Sequence, residues 1–259
     1  DAPIPEPSAA VTPPPTPIRP GMLWALAIAG ALLSGAVAAG IYEVTPTIFI
    51  PPPHMVSMMG QMTNQPLAPD IVVADRKNAM VAFGIAGGLL AMSLGLAGGL
   101  ARRSVPGALV GALVGLVLGA GCGAAAAAVG VPVLARQHDK NPDSVTKDMA
   151  IPLLIHVGMW SAIGVAAGAG LGVGAGMRGR LPSVILGGLA GGALGAGIYD
   201  ITAALIWADG RTYQVIAHKW PPRVYACLIP PLVTALVAVA GVVSPERRTK
   251  PAPPPTREV

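Results

Sequence analysis

Six runs of apolar residues, each twenty or more positions long, divide the chain: Gly21 to Tyr42, Ala79 to Ala101, Pro106 to Leu134, Ala150 to Met177, Pro182 to Ala208 and Val224 to Val243. About 20 residues of helix cross a ~30 Å hydrocarbon core, so each run is long enough to span a bilayer. The polar residues stand between the runs rather than alternating within them. This pattern predicts an all-α integral membrane protein with six transmembrane helices. The first run is longer than a signal-peptide core and lacks a small-residue cleavage site, so it is expected to be a retained helix.

The connections fall into two kinds. Arg102-Arg103-Ser104-Val105 and Arg178-Gly179-Arg180-Leu181 are tight, and each precedes a Pro suited to a helix first turn. The others, about 43–78, 135–149 and 209–223, are longer. Eight of the first twenty residues are Pro, as are five of the last fifteen; such segments favour extended polyproline conformations and pack no core. The expected organisation is a Pro-rich, disordered cytoplasmic tail at 1–20, the six-helix transmembrane bundle at 21–243 and a second Pro-rich cytoplasmic tail at 244–259. The first residue is Asp rather than Met, so an upstream segment is expected to have been removed.

Small residues recur at every fourth position. Gly107, Gly111, Gly115, Gly119 and Gly123 form one such ridge on the third helix, Gly164, Gly168, Gly172 and Gly176 another on the fourth, and Ser183, Gly187, Gly191 and Gly195 a third on the fifth. In lipid there is little hydrophobic gain from helix association, so close backbone approach and dispersion must supply it, and glycine-zipper ridges permit that approach. Packing within the bundle is the principal expectation, and an oligomer interface the alternative.

An internal repeat accompanies the ridges. A shift of 76 residues lays Arg102, Pro106, Gly111, Gly115 and Gly119 on Arg178, Pro182, Gly187, Gly191 and Gly195, and a shift of 157 lays Gly40-Ile41-Tyr42-Glu43 on Gly197-Ile198-Tyr199-Asp200. Three helix hairpins in the same orientation account for both shifts.

Composition agrees with the pattern. Only 11% of the 259 residues are charged, against roughly 25% in soluble domains, and the mean hydropathy is +0.63. The net charge of +5 comes from Lys and Arg at segment ends, with no basic face carrying interleaved aromatics, so a nucleic-acid partner is not expected. The tight turns hold four Arg and no acid, whereas the longer loops balance eight basic with eight acidic residues, counting Glu43 and Asp200. The positive-inside rule then puts the turns and both tails in the cytoplasm, in a bacterial inner membrane.

Candidate chemistry is sparse. Asp200 stands about 10 Å short of the end of its run, where a desolvated carboxylate costs up to roughly 3 kcal/mol and marks a functional site by default. Expected partners are Arg211, Tyr42 or Tyr199. Glu43, its repeat mate, can reach water. His156 and Trp160 share a helix face; His54, His138 and His218 lie in separate loops, so no zinc site can be drawn. Met55, Met58, Met59 and Met62 would form one stripe on a short interfacial helix beside His54, and the same soft donors would suit Cu(I). Cys122 and Cys227 lie in apolar runs. No phosphate loop or catalytic triad spacing occurs, so neither an enzyme nor a cofactor is expected.

These features suit a structural, anchoring or assembly component of a membrane complex, its partners the lipid bilayer and other membrane subunits or further copies of itself. The alternative is a transporter or channel for a small ion or solute, with Glu43, Asp200, Tyr42, Tyr199 and His156 lining the path.

Overall fold

The computed structural model describes residues 17–45, 48–58, 61–140, 150–207, 214–217 and 219–244, with the backbone alone at 58 and 138–140. Most of both Pro-rich tails, most of the loop between the third and fourth helices, Met59 and Arg211 lie outside the described residues.

Six helices are long and apolar enough to cross a membrane. They are α1 (Pro20–Val44), α2 (Ala68–Ala101), α3 (Val105–Lys140), α4 (Ala150–Gly174), α5 (Leu181–Ile206) and α6 (Trp220–Val243). Pro stands in the first turn of α1, α2, α5 and α6, where the missing N–H has no helical partner to lose. Each helix packs on its chain neighbour and α6 returns to α1, closing a ring, while α2 and α4 also meet across it. Leu90, Leu94, Ile163, Leu171 and Val184 fill the centre, and Leu109, Leu113 and Val117 of α3 point outward.

The helices depart most from their apolar runs at three ends, two where backbone hydrogen bonding continues beyond the apolar residues and one where the backbone turns early. At 34 residues α2 starts eleven before the run, which makes it about 51 Å long, well beyond a hydrocarbon core. The helix α3 continues to Lys140, so His138 belongs to its backbone and not to a loop. Conversely, α4 ends at Gly174, because Gly176 takes φ of 64°.

The two tight turns are built alike. After α2, Arg103 adopts φ of 57°, the Arg103 N–H donates to Leu100 O and the Ser104 N–H to Gly99 O; after α4, Gly176 N–H donates to Val173 O and Met177 N–H to Gly172 O. Both are Schellman ends, with the left-handed residue supplied once by Gly and once by Arg. The turns are not superimposable, however. Pro106 and Pro182 hold matching places at the starts of α3 and α5, but Arg102 caps α2 whereas Arg178 opens a short 3₁₀ turn, Arg178–Arg180.

The segment expected to form a Met-striped interfacial helix is instead an antiparallel hairpin, β1 (Pro53–Met58) with β2 (Gln61–Pro66), pairing Met55 with Asn64 and Ser57 with Met62. Pro51, Pro52 and Pro53 set extended backbone at its start. A strand's period of two then puts Met55 and Met62 on one face, both about two-thirds exposed. The fold is therefore not wholly helical.

Asn78 ties this layer to the bundle. It is buried, its Nδ2 donates to Phe49 O and its Oδ1 accepts from Phe49 N–H, both at 3.0 Å. Asn78→Ala removes both bonds and is expected to cost about 2 kcal/mol locally. The check is amide exchange at Phe49, which should accelerate at least tenfold while the centre of α2 stays protected; unchanged exchange would show that the clamp contributes nothing.

Candidate functional site

The long-loop end of the bundle gathers most of the chain's aromatic residues. Tyr42 ends α1, Phe83 lies in α2, His156 and Trp160 sit one turn apart on α4, Tyr199 and Asp200 are on α5, and Tyr225 is on α6. Edge-on ring contacts run from Tyr42 to Phe83 at 5.7 Å and from Phe83 to Trp160 at 6.1 Å. A second series joins His156, Tyr199, Tyr225 and Trp207 at 5.5 to 6.1 Å. Six of the ten aromatic residues thus wall one region.

Inside that wall lies one polar pair. His156 Nδ1 and Asp200 Oδ1 are 2.7 Å apart and hold a proton between them. The two residues are 3% and 4% exposed. This partner stands where Tyr42 or Tyr199 was expected; Arg211, the third expected partner, lies outside the described residues. Tyr199 presents its ring to the imidazole instead. Two buried oxygens, Asp200 Oδ2 and the Tyr42 hydroxyl, have no hydrogen-bond partner among the described residues. Tyr42, His156, Tyr199 and Arg223 line a void of about 10 Å³, room for about one water.

The matched residues of the repeat have separate fates. Tyr42 and Tyr199 are both 3% exposed in the cluster, but Glu43 turns outward, where Arg223 Nη1 donates to its Oε1 at 3.0 Å. Arg223 also donates from Nε to Ala217 O at 3.0 Å. It thereby fastens Val215, Ile216 and Ala217 over the void. The five residues expected to line a path do lie at one end of the bundle, but only His156 and Asp200 are bonded to each other.

The glycines sit at backbone contacts. A Cβ added at Gly115 would fall on Ala91 O, one at Gly119 on Gly87 O and one at Gly123 on Phe83 O. On α4, a Cβ at Gly164 would meet Gly188 O and one at Gly168 would meet Val184 O, whereas at Gly172 it would meet the Leu181 side chain. The neighbours of Gly187, Gly191 and Gly195 are Val237, Thr234 and Pro230 of α6, so the α5 ridge faces α6 and not α4. Gly107 and Gly111 approach Gly174 of α4.

Sequence reasoning missed the face opposite the third-helix ridge, Gly87, Ala91, Gly95 and Gly99 on α2. It also missed Arg223 and Asn78. The α2 series shows the same four-residue spacing once Ala is counted as small. The pairing of His156 with Asp200 has no local signal, because 44 residues separate them.

Among the described residues, no three His, Cys, Asp or Glu side chains converge as metal ligands. His54 Nε2 instead meets Asp70 Oδ2 at 2.9 Å on the surface, and Cys227 is buried. No family model, curated protein or solved structure matches the chain.

Proposed function

We propose that this chain is a structural, anchoring or assembly component of a membrane complex, its six helices spanning the bilayer as three glycine-packed hairpins. The observation that carries this reading is the isolation of its buried polar groups. The bonded pair of His156 and Asp200 is sealed, and the void beside it admits about one water. A path for ions or solutes needs a continuous wet lining. The other buried polar side chains among the described residues bond to backbone: Ser34 to Ala31 O, Thr45 to Ile41 O and Thr234 to Pro230 O within a helical turn, and Asn78 to the distant Phe49. These bonds stabilise helices and a loop rather than marking a route.

The assembly test is extraction in mild detergent. The protein should migrate in a particle holding more than one 25.9 kDa chain, its own or another's. A single-chain particle whose reconstituted vesicles carry a flux dependent on Asp200 would replace this reading with the second. That second reading, a small-ion or solute transporter, is favoured by one observation, the two buried oxygens of Asp200 and Tyr42 that have no hydrogen-bond partner among the described residues.

Orientation is part of the proposal. The acid-free Arg turns and both tails face the cytoplasm of a bacterial inner membrane. In intact cells a membrane-impermeant thiol reagent should therefore label Asn141→Cys but not Ser104→Cys. Labelling of Ser104→Cys alone would invert the orientation, and labelling of both would remove the six-span count.

A further inference from the structure

At the opposite end of the bundle from the aromatic cluster, a cleft of about 580 Å³ opens between the two tight turns. Arg102 and Arg178 supply all of its charge, and Pro106, Val110, Val173 and Leu181 supply its apolar walls. Neither guanidinium has a hydrogen bond or ion pair among the described residues. Arg180, from the same turn as Arg178, is committed otherwise, donating to the carbonyls of Val242 and Ser244 at the end of α6. No Asp or Glu occurs in 102–107 or 172–181, so nothing in the turns neutralises the pair.

Arg178 is exposed, while Arg102 is half-buried with its guanidinium against Gly176, where no side chain displaces it. Val110 lies about 7 Å along α3 from the helix start, so the cleft changes from cationic to apolar within one or two helical turns. It also opens onto the outward apolar flank of α3, where Val110 is 54% exposed.

We propose that this cleft is a binding site for an anionic phospholipid, its phosphate held between Arg102 and Arg178 and an acyl chain laid along Val110, Val173 and Leu181. Guanidinium groups match phosphate oxygens with paired N–H donors, and basic pockets between membrane helices on the cytoplasmic side suit such headgroups. A soluble phosphate would gain nothing from the apolar wall. The assignment rests on the helices spanning a bilayer; failure of that reading would show separately, as a protein that stays monodisperse with no detergent.

The test uses the full chain purified in neutral detergent, with binding read by native mass spectrometry and by thermal melting. Phosphatidylglycerol should bind and raise the melting temperature, phosphatidylcholine should bind at least about tenfold more weakly, and inorganic phosphate should have no effect. Arg178→Gln should weaken phosphatidylglycerol binding about tenfold without changing the lipid-free melting temperature. Val110→Trp, which blocks the apolar wall and keeps both charges, should weaken it similarly and decides the matter if the first variant does not fold. Equal binding of the two lipids, or indifference to both variants, would overturn the proposal. Stabilisation by inorganic phosphate equal to that by phosphatidylglycerol would make the cleft a simple anion site and overturn the lipid assignment.

Discussion

Gly115→Leu is expected to abolish recovery of folded protein in mild detergent, whereas Gly121→Leu, six residues along the same helix, should be recovered at wild-type yield. The contrast follows from what each new Cβ would meet. At Gly115 it would land on the carbonyl of Ala91 and close to the amide nitrogen of Met92, all backbone atoms of α2 that cannot swing aside. At Gly121 nothing lies within 4 Å. Relieving the first overlap requires α2 and α3 to separate along the series from Gly123 to Gly111, forfeiting their close contact at every turn. Overpacking costs typically 1–3 kcal/mol in a core that can adjust, and a contact of backbone on backbone has little room to adjust, so a loss of at least about 3 kcal/mol is expected. The yield of folded protein from each variant reports it, and thermal melting compares whatever fraction of Gly115→Leu is recovered with Gly121→Leu. Equal stability of the two would mean that α2 and α3 do not depend on backbone approach, and the glycine-packed bundle would fall.

The second large effect belongs to the buried pair. Asp200→Leu leaves His156 Nδ1 facing hydrocarbon without a partner and should lower stability by about 1–3 kcal/mol, the cost of an unsatisfied buried polar group. Asp200→Asn retains an oxygen that can accept from the imidazole N–H and should cost less, about 1 kcal/mol. His156→Leu alone strands the carboxylate. The double variant, His156→Leu with Asp200→Leu, removes both groups and should be less damaging than the two single losses added together. Additive losses would mean that the 2.7 Å contact contributes nothing. Vesicle flux separates the two functional readings: Asp200→Asn folds in either case, and only the transport reading has it abolish a pH-dependent flux that the wild type carries. If the wild type carries none, Asp200 Oδ2 serves no path, and the assembly reading stands.

Much of the architecture follows from the sequence because the relevant signals are local. A helix that can satisfy its backbone bonds internally needs only a sufficient apolar run, and six such runs were countable without knowledge of any contact. The tight turns were legible for a similar reason: short spacing, Arg and a following Pro leave few alternatives. The hairpin at 53–66 was not. Its Met spacing fits a helix face, and what outweighs that spacing is the pairing of two strands, with Asn78 holding the adjoining loop, a contact made 29 residues away.

Partnership was the part only the tertiary structure could decide. Four-residue glycine spacing marks a face able to approach another backbone but not which backbone lies opposite, and so the fifth-helix ridge meets α6 while Gly164 and Gly168 of α4 meet a different line of α5. The same holds for Asp200. Its place in an apolar run announced the need for a polar partner, because desolvation penalises a carboxylate wherever the chain leads it. That the partner is His156, and that Glu43 at the matching position turns to Arg223 instead, depends on which helices the closed ring sets side by side. Local chemistry sets the length, polarity and ends of each helix, whereas the choice of neighbour is a property of the packed bundle, in which every contact must be satisfied at once.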